Sequence, residues 1–195
     1  MSGVYIHGTN GAGKTMLARC LMICAQGPVY ECWVHSEEAV MTGVLRADRP
    51  DIMFVGKYRG ATGGFDTVQP YASGVRAAIT RARDFGNPVV MESLITPGIE
   101  TCRELAAGIG DVTFFWLDTP VQQCIAHVGT RRAARGNETP LDPSNLLRKA
   151  ESVASWYRRL TEAGLRTERG GWDYVYNRCK EILNVSEPDA SVLLD

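Results

Sequence analysis

With 195 residues, 45% hydrophobic and 22% charged, the chain has the make-up of one ordinary globular domain, 1–195, with enough apolar material for a full core. The formal net charge of −1 excludes a general positive field that would draw in nucleic acid, so any basic surface must be local. No apolar run is long enough to cross a bilayer, and the N-terminal MSGVYIHG turns glycine-rich at once, so neither a membrane partner nor a signal peptide is expected and the location implied is cytoplasmic.

Residues 4–7 form a short apolar run leading into glycines, which predicts a buried strand. Met16, Leu17, Cys20, Leu21 and Cys24 follow at the spacing of one helix face. Residues 28–35 alternate as a second strand, 37–50 are ambiguous with a helix ending before Pro50 as one reading, and 51–55 read as another strand. After the loop GKYRGATGGFD, a long helix is predicted over 67–85, with Val68, Tyr71, Ala72, Val75, Ala78, Ile79 and Ala82 on one face. Residues 88–91 predict a short strand, 100–109 a helix, and 112–117 (VTFFWL) the clearest strand. Pro120 opens a helix with Val121, Cys124, Ile125 and Val128 inward. A polar, turn-rich stretch at 131–143 precedes a helix over 146–160, a last strand at 164–168 and a closing helix through Trp172, Val175, Tyr176, Cys179, Ile182 and Leu183. The six cysteines form no CxxC pair and fall mostly on apolar helical positions, so they are expected as buried reduced thiols. Strands alternating with helices imply an α/β fold with a parallel sheet covered on both faces, whose ligands bind beyond the strand carboxyl ends.

Gly8, Thr9, Asn10, Gly11, Ala12, Gly13, Lys14 and Thr15 fit GxxxxGK[ST], between the first predicted strand and the helix after it. Glycines in this context let successive N–H groups curl around phosphates while the helix N-terminus adds its positive end. Lys14 is expected to reach the β- and γ-phosphates of ATP and Thr15 to ligate Mg²⁺. Glu92 ends a strand that a parallel sheet would bring to this loop; there it would hold Mg²⁺ through water, accept a proton, or simply face solvent as a strand-end acid.

Asp66 has two open readings. With Gln69 it has the spacing of a helix N-cap and capping partner, and it could equally serve as the base for an acceptor. The loop before it carries Lys57, Tyr58 and Arg59, a cationic and aromatic surface suited to substrate. Arg131, Arg132 and Arg135 cluster after a helix, either as a solvated basic helix end or as a lid, over about 129–145, that neutralises charge on a transferring phosphoryl group. His7 and His127 read as packing or surface residues, Trp116 as core, and Asp118 as a cap or a support for the lid arginines.

Taken together, these residues make the chain resemble the nucleoside and nucleotide kinase branch of P-loop proteins over nearly its whole length. That resemblance implies a single P-loop kinase domain, a parallel five-stranded sheet flanked by helices, and a helical arginine lid. More narrowly, KYRGATGGFD followed by LDTP and RRAARGN is similar to phage-encoded P-loop kinases of thymidine hypermodification, which phosphorylate the hydroxymethyl group of 5-hydroxymethyluracil within DNA. The resemblance implies an acceptor-side acid at Asp66, a metal-side acid at Glu92, lid residues at Arg131, Arg132 and Arg135, and location in the host cytoplasm. His127 departs from the arginine often found on that helix of nucleotide kinases. Three functions stay open: a kinase of DNA bases, a kinase of free nucleosides or monophosphates, and an ATP-binding switch or ATPase, which the absence of a water-positioning glutamine disfavours. The oligomeric state is not legible.

Overall fold

The computed structural model describes residues 1–34, 36–58, 63–68, 71–137 and 139–187. Its strands are β1 (Ser2–His7), β2 (Val29–Val34), β3 (Ser36–Val44), β4 (Ile52–Val55), β5 (Val89–Ser93), β6 (Asp111–Leu117) and β7 (Thr167–Gly170). Its helices are α1 (Lys14–Cys24), α2 (Tyr71–Phe85), α3 (Ile99–Ile109), α4 (Val121–Ala133), α5 (Ser144–Glu162) and α6 (Trp172–Leu183), with a 3-10 turn at Gly64–Thr67.

The strands form one sheet in the order β2-β3-β4-β5-β1-β6-β7. From β4 to β7 every pairing is parallel, as the sequence implied, but β2 and β3 add an antiparallel hairpin at the β4 edge. The sheet is therefore mixed and seven-stranded, not a purely parallel sheet of five. The helical reading of 37–50 fails for the same reason. Thr42 Oγ1 donates to Gly56 O at 2.8 Å, and bare Gly43 admits the Tyr30 ring, which a Cβ would meet at 2.3 Å. Met41 and Val44 enter opposite core layers, as a period of two requires, so cross-strand pairing outweighs the helical propensity of Glu, Ala and Met.

Both faces of the sheet are covered, which is why its central strands are apolar without alternation. Val4, Ile6, Val90, Phe115 and Leu117 pack with Leu17 and Leu21 of α1 and Val175, Cys179 and Leu183 of α6. On the other face Tyr5, Met53, Met91 and Phe114 pack with Val75 and Ala78 of α2, Leu105 of α3 and Trp156 and Leu160 of α5. Truncating a buried ring such as Trp156 to alanine would cost about 3–5 kcal/mol. The long helix expected over 67–85 starts only at Tyr71, because Val68 is extended (φ −112, ψ 118) after the 3-10 turn. β7 begins later than expected, since Gly164 (φ 74) first closes α5. Cys24, Cys102, Cys124 and Cys179 are buried free thiols and Cys20 is half-buried; burial pushes the Cys102 thiol up to about 12. No helix among the described residues is long and apolar enough to cross a membrane.

β1 lies between β5 and β6, so the chain leaves its carboxyl end at the point where strand order reverses. Ligands of such sheets bind in the crevice there.

Candidate functional site

Between His7 and Lys14 the backbone must turn from a strand into a helix within a few residues. Gly11 (φ 83) and Gly13 (φ 98) adopt the left-handed conformation that makes this turn. Neither tolerates a side chain. A Cβ on Gly11 would lie 2.5 Å from the Cys124 carbonyl, and one on Gly13 would lie 3.1 Å from the Trp172 ring. The loop is held from outside by Thr119, whose hydroxyl donates to Ala12 O at 2.9 Å, and by His127, whose Nδ1 donates to Gly11 O at 2.8 Å. His127 thus fastens the middle of α4 to the loop. Lys14 is buried and its ammonium donates to Gly8 O at 3.0 Å and Thr9 O at 3.2 Å. Burial pulls its pKa down, while Glu92 and then Asp66 act in the opposite direction.

Glu92 sits beside Ile6 in the β1–β5 register, so the sheet itself delivers it to the loop. It is only 1% exposed, and Oε1 accepts the Thr15 hydroxyl at 2.7 Å. Burial raises its pKa; Lys14 and the Thr15 hydrogen bond oppose that rise. Gly63 and Gly64 are packed against this pair. A Cβ on Gly64 (φ 73) would lie 2.3 Å from Glu92 O, and one on Gly63 would lie 2.6 Å from the Tyr58 ring and 3.1 Å from Thr15 Cγ2. Phe65 is fully buried 5.9 Å from the Tyr5 ring and anchors the turn.

Asp66 is therefore not the N-cap of α2; it lies inside the 3-10 turn. Its carboxylate meets the exit of β5 instead, accepting the Leu94 N–H at 3.1 and 3.2 Å and the Ser93 hydroxyl at 3.5 Å. Gln69, the expected capping partner, lies outside the described residues.

A cleft of about 1050 Å³ brings together Asn10–Thr15, Asp66, Glu92, Arg131, Arg132 and Arg135. Arg131 and Arg132 end α4, and Arg135 follows it. Arg132 is tied to the segment that follows α4, donating to Asn137 Oδ1 at 3.2 Å and Thr139 O at 3.1 Å. The expected substrate loop is not assembled in this way. Tyr58 is buried with its ring edge on Phe54, so it is not the surface aromatic expected. Lys57 is exposed and does not line the cleft, and Arg59 lies outside the described residues.

Sequence reasoning passed over Arg19 and Trp172, which also line the cleft, and the polar group that joins buried His7 to half-buried Thr96 and Lys149. Arg19 follows Thr15 by one helical turn, a spacing that could have found it. Lys149 lies three residues after Leu146 and four before Val153, at the edge of the inward stripe of α5.

A glycine loop at the carboxyl end of a parallel core, with a buried lysine and a threonine–carboxylate pair, defines a P-loop phosphate-binding fold. No protein-family profile matches the chain. Its resemblance to phage P-loop kinases is upheld by two curated relatives, each named 5-hmdU DNA kinase. The protein of Pseudomonas phage PaMx11 is 26% identical over 185 residues, covering 92% of this chain and 96% of that one. The protein of Delftia phage PhiW-14 is 25% identical over 197 residues, covering 93% of this chain and 72% of that one. Among solved structures, a gluconokinase from Sinorhizobium meliloti 1021 aligns over 94% of this chain and 87% of its own, at 14% identity and a TM-score of 0.44.

Proposed function

We propose that the chain is a single-domain, ATP-dependent kinase that transfers the γ-phosphate to the hydroxymethyl group of 5-hydroxymethyl-2'-deoxyuridine in DNA. The observation that carries this reading is one cleft holding a P-loop lysine, two carboxylates in different surroundings and the arginines of α4. The acceptor is suggested by the similarity to two phage proteins bearing that name.

Lys14 and the loop N–H groups take the phosphates of ATP. The cleft is also lined by Pro120, Gln123 and Trp172, an aromatic and amide surface of the kind on which a purine stacks and hydrogen-bonds. The Thr15 hydroxyl and the Glu92 carboxylate are hard oxygen donors already 2.7 Å apart, and they fit Mg²⁺. Mg²⁺ held there would neutralise phosphate charge. Asp66 is the base. It is exposed, and the Leu94 N–H orients its carboxylate. The acceptor oxygen forms a bond to the γ-phosphorus as the bond to the β,γ-bridging oxygen breaks, the hydroxyl proton passes to Asp66, and ADP leaves. Arg131 and Arg135 offset the charge that grows on the phosphoryl and bridging oxygens, and residues 129–145 act as the lid that keeps water out.

The hydroxymethyl group takes the place of the thymine methyl in the major groove, so in-line attack inside a cleft requires the base to leave the stack. The test is transfer of labelled γ-phosphate to an oligonucleotide carrying 5-hydroxymethyluracil, to the free nucleoside and to its monophosphate, side by side. Label is expected in the oligonucleotide. Equal or better kcat/KM on the free nucleoside or monophosphate would overturn the DNA acceptor, and ATP hydrolysis without transfer to any of them would overturn the kinase.

A further inference from the structure

His7 ends β1 directly before the phosphate loop, fully buried with its ring edge against Trp156 at 4.7 Å. Its hydrogen bonds fix a direction. Nδ1 is 2.8 Å from the Ser93 carbonyl, which can only accept, so the ring proton sits on Nδ1. Nε2 is then an acceptor, and the Thr96 hydroxyl 3.1 Å away donates to it. With its proton committed, Thr96 Oγ1 offers lone pairs to the Lys149 ammonium at 2.9 Å. Burial and the neighbouring Lys14 hold the His7 pKa down at about 3, which keeps the ring neutral and the chain of bonds in this one orientation.

The segment that receives Lys149 also receives Asp66. Leu94 N–H binds the Asp66 carboxylate and Thr96 binds the ammonium, two residues apart on the strand exit of β5. Lys149 is half-buried and does not itself line the cleft; its electrostatic partner is Asp66, which does, and whose charge offsets the burial that lowers the lysine's pKa. One of its three N–H groups serves Thr96, which leaves two. Fastening α5 does not require it, since Leu146, Val153, Trp156 and Leu160 already bury that helix.

Taking the DNA acceptor proposed above as its basis, we propose that Lys149 positions the acceptor nucleotide: its ammonium, held by Thr96 and His7 within electrostatic reach of Asp66, binds an acceptor oxygen, either a base carbonyl or a backbone phosphate. Asp66 takes the proton, and Lys149 places the group that loses it.

The experiment measures steady-state transfer from labelled ATP to a 5-hydroxymethyluracil oligonucleotide by the parent, Lys149→Met, Lys149→Arg and Thr96→Val. Methionine keeps the aliphatic stem, and valine keeps the shape of threonine without its hydroxyl. Lys149→Met should raise KM for the oligonucleotide about tenfold or more, as loss of a charged hydrogen bond does, with KM for ATP within about twofold of the parent. Thr96→Val should move KM in the same direction by less, and Lys149→Arg should recover part of the loss. A phosphate contact would lower the slope of log affinity against log salt by about 0.7–0.9 in Lys149→Met, whereas a base-carbonyl contact would give the same loss at every salt concentration. A Lys149→Met enzyme that melts earlier but keeps the parent's KM for the oligonucleotide would make Lys149 a tether only and overturn the proposal. A parent that never labels the oligonucleotide overturns the kinase reading itself, and this proposal with it.

Discussion

Replacing Asp66 by asparagine separates its hydrogen bonding from the role proposed for it as base. The carboxylate accepts Leu94 N–H through both oxygens, at 3.1 and 3.2 Å, and the Ser93 hydroxyl at 3.5 Å. Asparagine keeps one of those oxygens for Leu94 N–H and loses the charge, turning a charge-assisted hydrogen bond into a neutral one. The difference between the two is about 1 kcal/mol, and solvent reduces it further at an exposed site. In a protein of this size that moves Tm by about 2–4 °C at most. The turn should hold in any case, because Phe65 is fully buried and Gly63 and Gly64 remain fitted to Tyr58 and Glu92. Removing a general base costs about 10²–10⁴ in rate. Asp66→Asn should therefore melt almost with the parent while kcat on 5-hydroxymethyluracil DNA falls by about a hundredfold or more. The acceptor must be the hydroxyl, because an ionised phosphate needs no base. Full activity of Asp66→Asn in that assay would remove Asp66 from the mechanism and leave Glu92 and Asp118 as the remaining carboxylates of the cleft.

Lys14→Met should abolish transfer and leave the circular dichroism spectrum nearly unchanged, because a side chain of similar reach fills the space, while the hydrogen bonds to Gly8 O and Thr9 O are lost and melting comes somewhat earlier; near-normal turnover would refute the P-loop assignment. Arg131→Ala and Arg135→Ala should lower kcat by about ten- to a thousandfold with smaller changes in KM for ATP, whereas Arg132→Ala should also loosen the segment after α4, seen as faster proteolysis near Asn137 and Thr139. The folded-state pKa of His7 is about 3 against 6.5 unfolded, so between those values the unfolded chain holds the extra proton. The contribution is complete above about pH 6.5 and is lost as pH falls, by up to about 1.4 kcal/mol per pH unit; urea midpoints should drop from pH 7 to 5 in the parent and drop less in His7→Gln, and parallel curves would refute this.

The donor half of the site was legible because phosphate chemistry dictates local sequence. A strand, a loop with left-handed glycines, and a lysine and threonine opening a helix are contiguous, so the spacing of eight residues carried the whole inference. The strands β1, β4, β5 and β6 were legible too, since burial on both faces leaves short apolar runs. Asp66 was readable as a candidate base, but its surroundings and those of Lys149 were not, because their partners lie far apart along the chain. Asp66 meets Leu94 across 28 positions and Lys149 meets Thr96 across 53. Asp66 and Gln69 satisfied a local capping pattern that the tertiary hydrogen bond to Leu94 overrides. The β2–β3 hairpin was half-read for a related reason: residues 37–50 carry helix-forming types, and only pairing with β2 and β4 decides the matter.

A chain of net charge −1 can still serve a polyanion, provided its positive charge is concentrated where it is used. Among the described residues the cleft is lined by five cations, Lys14, Arg19, Arg131, Arg132 and Arg135, against three carboxylates, Asp66, Glu92 and Asp118. The carboxylates are moreover engaged: Glu92 by Thr15, Asp66 by Leu94 N–H, and Asp118 by Arg169. The side-chain charge lining the cleft is thus net positive although that of the whole chain is not. Such an arrangement favours an acceptor presented at one point, as an extruded nucleotide is, over a duplex gripped along its length. A sum over 195 residues hides this local excess, which only the fold assembles.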